Sequence, residues 1–314
     1  MEKAGLLGNE ELKKRLAASF RAGKQSHCYL ICGPEGSGKK TLAAYLTQAL
    51  QCETPNGPCG QCNACRKVKG GNHPDVITVD DPEKKSVSVE LVRQVQEDAF
   101  IRPNEGRKKI YLIPRAHLMT EQAQNALLKL IEEPPHYAVF LLLTTVAEKL
   151  LPTVRSRSVE LRMEPVPWKD AAVWLQSMSG GCDEQTLRAA YLRCGGFLGQ
   201  ALQYLEGGSE LPITEEFVRA YAENDRYGLT AVFCSMEKMP RDQVQKGLAQ
   251  WKQLLTDALM VRSGLPGMPD AVRIGQRRTA AELAAAAAVL QTAMEYCAAN
   301  IGTGHICGWL AARL

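Results

Sequence analysis

What this chain lacks narrows its roles before any motif is read. No apolar run approaches the ~20 residues that a membrane-spanning helix needs, and Met1-Glu-Lys opens a polar, helix-like segment rather than a secretory leader. These features predict a cytoplasmic protein with no membrane partner. One charge sign does not dominate either: 38 basic against 34 acidic residues leave a formal net charge of +4, too small to argue nucleic-acid binding from the overall field. Eleven cysteines, an odd number, in a reducing compartment argue against a disulfide framework. With 314 residues, 45% of them hydrophobic, there is material for two or three domains with their own cores.

Seven cysteines (Cys28, Cys32, Cys182, Cys194, Cys234, Cys297, Cys307) lie in apolar surroundings and read as small core residues. The other four, Cys52, Cys59, Cys62 and Cys65, are clustered among Pro55, Asn56, Gly57, Pro58 and Gly60. Four thiolates close a tetrahedral zinc shell and leave no position for a reactive water, so the expected ion is structural. The two C-x-x-C pairs share Cys62, so Cys52 must fold back from the preceding helix. A stand-alone zinc module that binds nucleic acid is the weaker alternative, because aromatics are few there and only Arg66, Lys67 and Lys69 lie nearby.

The stretch Cys32-Gly-Pro-Glu-Gly-Ser-Gly-Lys-Lys-Thr41 fits the G-x-x-x-x-G-K part of a phosphate-binding loop, with Gly33, Gly38 and Lys39 in its fixed places and Gly36 between them. Cys28-Tyr-Leu-Ile-Cys32 supplies a strand before it, and Lys39 to Leu50 a helical pattern after it, which is the context the motif requires. The residue that should hold Mg²⁺ by a hydroxyl is missing. Lys40 stands there, and Thr41 comes one residue late, about 100° round the helix. ATP or ADP can still be held by Gly33, Gly36, Gly38 and Lys39, but hydrolysis is not expected.

A second absence lies on the strand Lys109-Ile-Tyr-Leu-Ile113. In a phosphate-loop enzyme this strand ends in an acidic pair that holds the metal and activates water; here its tip reads Pro114-Arg115-Ala116-His117. His117 is read as a packing residue. Further strands are expected at Val76–Val79, Val139–Leu143 and Val159–Leu161. Thr144-Thr145, at the tip of the fourth, could sense a phosphate or bond the backbone. Helices are expected around Leu12, Leu16 and Phe20, through Val89, Val92, Val95 and Ala99, and from Thr120 to the stop at Pro134-Pro135. The basic stretch Arg102 to Lys109 could face DNA or a partner, or be a solvated loop.

After Pro165 strand signals end. Helical patterns at Trp168–Met178, Glu184–Cys194 and Gly199–Glu206 suggest a small lid, Gly207 to Pro212 a linker, and those at Thr214–Ala222, Leu229–Lys238, Asp242–Arg262, Ala280–Ala298 and Gly304–Leu314 an assembly domain, including an alanine-rich run, Ala280 to Ala288, suited to close helix packing.

Ser26-His-Cys-Tyr-Leu before Gly33-Pro34, the four-cysteine insert, His73-Pro-Asp75-Val, Ala123-Gln-Asn-Ala-Leu-Leu-Lys129, Glu132-Glu-Pro-Pro135 and Thr153-Val-Arg-Ser-Arg157 occur in that order. Together they resemble the delta-prime subunits of the bacterial DNA polymerase III clamp loader; the last hundred residues match only as a helical collar. The resemblance implies an α/β fold: a RecA-like AAA+ domain over 1–165 with a zinc module at 50–66, a helical lid over 166–207 and a helical collar over 208–314. It implies a ring with gamma/tau and delta subunits that places a sliding clamp on primer–template DNA, as part of the polymerase III holoenzyme. It also implies that Ser156-Arg157-Ser158 fills the place of a Ser-Arg-Cys triplet, with Arg157 as an arginine finger toward a neighbour's ATP; Ser158 for Cys should be a mild departure. Motor-type gamma/tau chains would keep a hydroxyl after Lys39, the acidic pair, and an arginine in the lid where this chain has Gly199. A motor-type ATPase is therefore the alternative that the residues disfavour.

Overall fold

The apolar runs become strands because helices cover both of their faces. In the computed structural model, which describes residues 6–54, 57–81, 83–84, 86–206, 213–265 and 267–314, they form one sheet. Its strands are β1 (Cys28–Cys32), β2 (Val76–Thr78), β3 (Lys109–Ile113), β4 (Ala138–Thr144) and β5 (Val159–Arg162), arranged β2-β3-β4-β1-β5 and all parallel. β4, at the centre, is buried along its whole length, as a strand with two covered faces should be. Alternate residues go to opposite sides. Leu30, Tyr111, Ile113, Phe140 and Leu142 pack under α4 (Val89–Ala99) and α5 (Glu121–Glu132). Ile31, Ile110, Val139 and Leu141 pack under α1 (Glu10–Arg21) and α2 (Lys39–Gln51). The loop after β1 and the tips of β3 and β4 thus share one end of the sheet, the end where parallel α/β sheets bind ligands.

Two helices go beyond the sequence reading in this part of the chain. α3 (Asn63–Lys69) grows from the cysteine cluster, its N-cap being the Cys62 side chain. Pro152–Ser156 is the one-turn helix α6.

His73-Pro-Asp75 is a structural clamp. Asp75 is fully buried, and its carboxylate accepts the backbone N–H groups of Asn104 (2.6 Å), Glu105 (3.0 Å) and Gly106 (2.6 Å). The basic stretch is thereby tied down, and most of it serves the fold: Arg107 donates to Glu53 O, Lys108 to His136 O, and buried Lys109 pairs with Asp98 at 2.8 Å. Burial opposes the charge on Asp75, but the three N–H donors outweigh it and hold the carboxyl below its usual range. A depressed carboxyl adds stability that is complete above the free-chain value of about 3.9 and is lost as pH falls through the folded value below it. Asp75→Asn should cost about 3 kcal/mol in urea unfolding at pH 7, and the gap between the two proteins should close in strong acid.

Residues up to Ala171, with Gly196–Gln200, form one compact unit; Ala172–Gly195 and Ala201–Leu314 form another. After β5 come α7 (Trp168–Met178), α8 (Glu184–Arg193), α9 (Leu198–Leu205), α10 (Ile213–Glu223), α11 (Arg226–Glu237), α12 (Arg241–Arg262), α13 (Pro269–Arg277), α14 (Ala280–Ala298) and α15 (Thr303–Arg313). The expected linker at 207–212 lies outside the described residues. In the second unit Trp251 stacks on Phe217 at 4.2 Å between ring centroids and donates its indole N–H to Thr214 Oγ1. α14, opened by a Thr279–Glu282 capping box, buries Leu283, Ala286, Leu290 and Ala293 on one face, and the small alanines let it lie close along α12. α13 was not expected from the sequence: it is nine residues long, and its buried face is no more than Ala271, Ile274 and Gly275. Of the scattered cysteines, Cys28, Cys32, Cys297 and Cys307 are buried, Cys182 and Cys194 are half-buried, and Cys234 is exposed. Cys234 follows buried Phe233 on α11 but falls outside the helix's inner face, so it is no core residue. No helix among the described residues is long and apolar enough to cross a membrane.

Candidate functional site

The loop after β1 adopts the backbone that its glycines permit: Gly36 and Gly38 both have positive φ, 69° and 89°. Its lysine is turned inward. Lys39 Nζ donates to Gly33 O at 2.7 Å and to Pro34 O at 2.6 Å, and partial burial pulls its pKa below that of a free lysine. The apex is covered: Gly199 N–H donates to Gly36 O at 2.9 Å. A side chain fits at neither glycine, since a Cβ on Gly199 would lie 2.5 Å from Gly36 O and one on Gly36 would strike the Gln200 backbone. The glycine at 199 is therefore what allows this close approach. Lys40 is exposed, Thr41 half-exposed, and Ser37 Oγ is buried with no partner among the described residues.

The tips of β3 and β4 carry no free acid. Arg115 forks onto Asp80, with Nε and Nη2 at 2.9 and 2.7 Å from Oδ1, and also donates to Asp81 O. Asp80 had no sequence signal beyond its place after β2. His117 Nδ1 is buried with no hydrogen-bond partner among the described residues, and burial first, then Lys149, Lys39 and Arg115, depresses its pKa. The Thr144 hydroxyl donates to Val146 O at 2.9 Å, so of its two readings the backbone bond is the one observed.

Arg157 sits at the C-terminal end of α6 and is exposed, as is Ser156. Its Nη2 pairs with Glu132 Oε1 at 2.9 Å, while Nη1 donates to Thr153 O at 3.2 Å and to Ser156 Oγ at 3.4 Å. Ser158 ties this turn to the sheet. Its hydroxyl donates to Val154 O at 2.8 Å and lies 3.1 Å from Cys28 Sγ, a thiol that burial pushes up to about 12 and keeps protonated. Glu132 is a residue that the sequence reading quoted without a role.

The four clustered cysteines come together as their spacing predicts, with all four Sγ atoms within 4.8 Å of one another. Tetrahedral zinc with Zn–S bonds of about 2.3 Å sets sulfur–sulfur separations near ~3.8 Å, so the donor set fits the ion. Backbone N–H groups support the sulfurs: Gln61 and Cys62 donate to Cys59 Sγ, Cys65 to Cys62 Sγ, and Cys59 to Cys52 Sγ, all at 3.3–3.4 Å. Those donors pull the Cys59 thiol down to about 6, whereas burial pushes Cys65 up to about 12. Gly57 has no room for a side chain, because a Cβ would collide with Cys52.

A family profile described as "DNA polymerase III, delta subunit" matches residues 8–167. The delta' subunit of Escherichia coli is 33% identical over 258 residues, covering 80% of this chain and 75% of that protein. The gamma subunit of Buchnera aphidicola is 31% identical over 66% of this chain, and the tau subunit of E. coli 36% over 51%. The chain spans 58% of that gamma subunit's length and 25% of that tau subunit's. Among solved structures, a gamma subunit-related protein of Thermotoga maritima has the same overall fold, with a TM-score of 0.52 at 18% identity, covering 96% of this chain and 99% of that one.

Proposed function

Because this chain belongs to the delta-prime family of DNA polymerase III clamp-loader subunits, we propose that it is a non-hydrolysing member of the loader ring that acts on a neighbour's ATP through Arg157. The observation that carries the reading is a contrast within one domain. In the chain's own phosphate loop Lys39 donates to the carbonyls of Gly33 and Pro34, and the Gly36 carbonyl at the apex accepts from the N–H of Gly199. Arg157, by contrast, stands exposed at the end of α6. Lys40 replaces the metal-binding hydroxyl, and Arg115, bound to Asp80, stands where a hydrolase keeps an acid. A cation that reaches a phosphoryl group from another subunit needs no metal or base of its own. It stabilises the charge that develops on the transferring oxygens.

The rest of the reading follows the same ring. The collar over 208–314 holds the chain among gamma/tau and delta subunits, the lid over 166–207 follows the domain over 1–165 in the chain, and zinc on Cys52, Cys59, Cys62 and Cys65 braces residues 50–66. The sliding clamp and primer–template DNA are reached through the assembled loader. The competing reading, a motor-type ATPase, has the similarity to gamma and tau chains behind it. It requires a working site at Lys39. Equilibrium ATP binding and turnover by the isolated chain, with Lys39→Ala as control, separates the two. The expected result is no turnover by either protein, with any bound nucleotide held idle and weakened by Lys39→Ala; saturable hydrolysis abolished by Lys39→Ala would establish the motor.

A further inference from the structure

Glu132 ends α5 in an unfavourable place for a carboxylate. The last carbonyls of a helix carry the negative end of its dipole, and a second acid, Glu133, follows at once. Both side chains are exposed, so neither serves the core. What offsets the position of Glu132 is the Arg157 guanidinium, 2.9 Å away. The same guanidinium donates twice more through Nη1, to Thr153 O and Ser156 Oγ, which leaves Nε–H and one Nη2–H for an incoming anion. The carboxylate is itself well placed. The ring nitrogen Nε2 of His27 bonds the carbonyl of Ile131, the residue before it, at 2.8 Å, and Pro134 and Pro135 stop the helix just beyond. An exposed and otherwise mobile arginine is thus held from three sides by its own chain.

We infer that Glu132 is a positioning residue for Arg157: it holds the guanidinium so that its remaining N–H donors meet the transferring phosphoryl group of the neighbouring subunit. This rests on the trans-acting role of Arg157 proposed above. Arginine has wide rotamer freedom, and fixing it before the neighbour docks removes part of the cost of orienting it in the transition state. Since both partners are exposed, the effect of the pair belongs in orientation rather than in the stability of the fold.

The test is clamp- and DNA-stimulated ATP turnover by a reconstituted loader in which only the ATP site facing this chain is active, carrying Glu132→Gln, Glu132→Ala, Arg157→Ala, or Glu132→Ala with Arg157→Ala. Glu132→Ala should lower kcat roughly fivefold, the upper end for an exposed pair, and Glu132→Gln by less. KM for ATP and ring assembly should not change, and Glu132→Ala should have no further effect once Arg157 is alanine. A fall in both backgrounds would make Glu132 merely structural and overturn the assignment. A rise in turnover would make the pair a restraining latch and overturn it as well. A large Arg157→Ala effect beside unchanged Glu132 variants would remove the positioning role alone; no Arg157→Ala effect would remove the trans-acting role with it.

Discussion

Stripping zinc from the chain with a chelator, or replacing Cys62 by alanine, is expected to unravel residues 52–69 while the sheet stays folded. The size of the local effect comes from the metal. Zinc–thiolate modules bind their ion with about 10–16 kcal/mol at neutral pH, and that binding energy is their folding energy. The cysteine segment has little else. No described residue from 51 to 75 joins either hydrophobic cluster beneath the sheet, and α3 is capped by Cys62, one of the four cysteines. The sheet does not need the segment, because its two faces are filled from α1, α2, α4 and α5. Hydrogen exchange should therefore show fast amides in α3 after chelation and unchanged protection in β1 and β4. Loss of protection throughout the first unit in one step would show the cluster to be part of the global folding unit.

Arg157→Ala should give the largest kinetic effect. An arginine supplied in trans to a transferring phosphoryl group accelerates hydrolysis by about 10³–10⁵, so a fall of at least about a hundredfold is expected at the one ATP site that faces this chain. It should be read in a loader whose other sites are disabled, since intact sites would mask it. Stability should barely change. The side chain and its partner Glu132 are both exposed, a type of pair worth at most about 1 kcal/mol, and Ser158 still anchors the turn through Val154 and Cys28. Arg157→Lys should not restore the rate, because a point charge cannot reproduce the planar fork of donors.

Much of this was legible in the residues. Strands buried on both faces announce themselves as continuous apolar runs, and Lys109-Ile-Tyr-Leu-Ile113 came out with the expected bounds. The cysteine cluster was equally legible, because four thiols at turn spacing have few ways to be arranged. Helices without a long apolar stripe were not: α3 depends on a cluster to which it gives only Cys65, and α13 is nine residues long and buries only Ala271, Ile274 and Gly275. Pairings between distant residues carry no local pattern at all. That Arg115 would meet Asp80, or Gly199 the apex at Gly36, depends on which strand ends and turns the fold brings together. The absent hydroxyl and acids could be seen in the sequence, but not that Lys39 turns onto the carbonyls of its own loop.

The most direct test of the division of labour compares two single variants in one reconstituted loader, Lys39→Ala and Arg157→Ala, by clamp- and DNA-stimulated ATP turnover. The expected result is unchanged turnover for Lys39→Ala and a collapse at the facing site for Arg157→Ala. The reverse pattern, turnover lost with Lys39 and retained without Arg157, would mean that the chain hydrolyses ATP at its own loop and does not complete its neighbour's site.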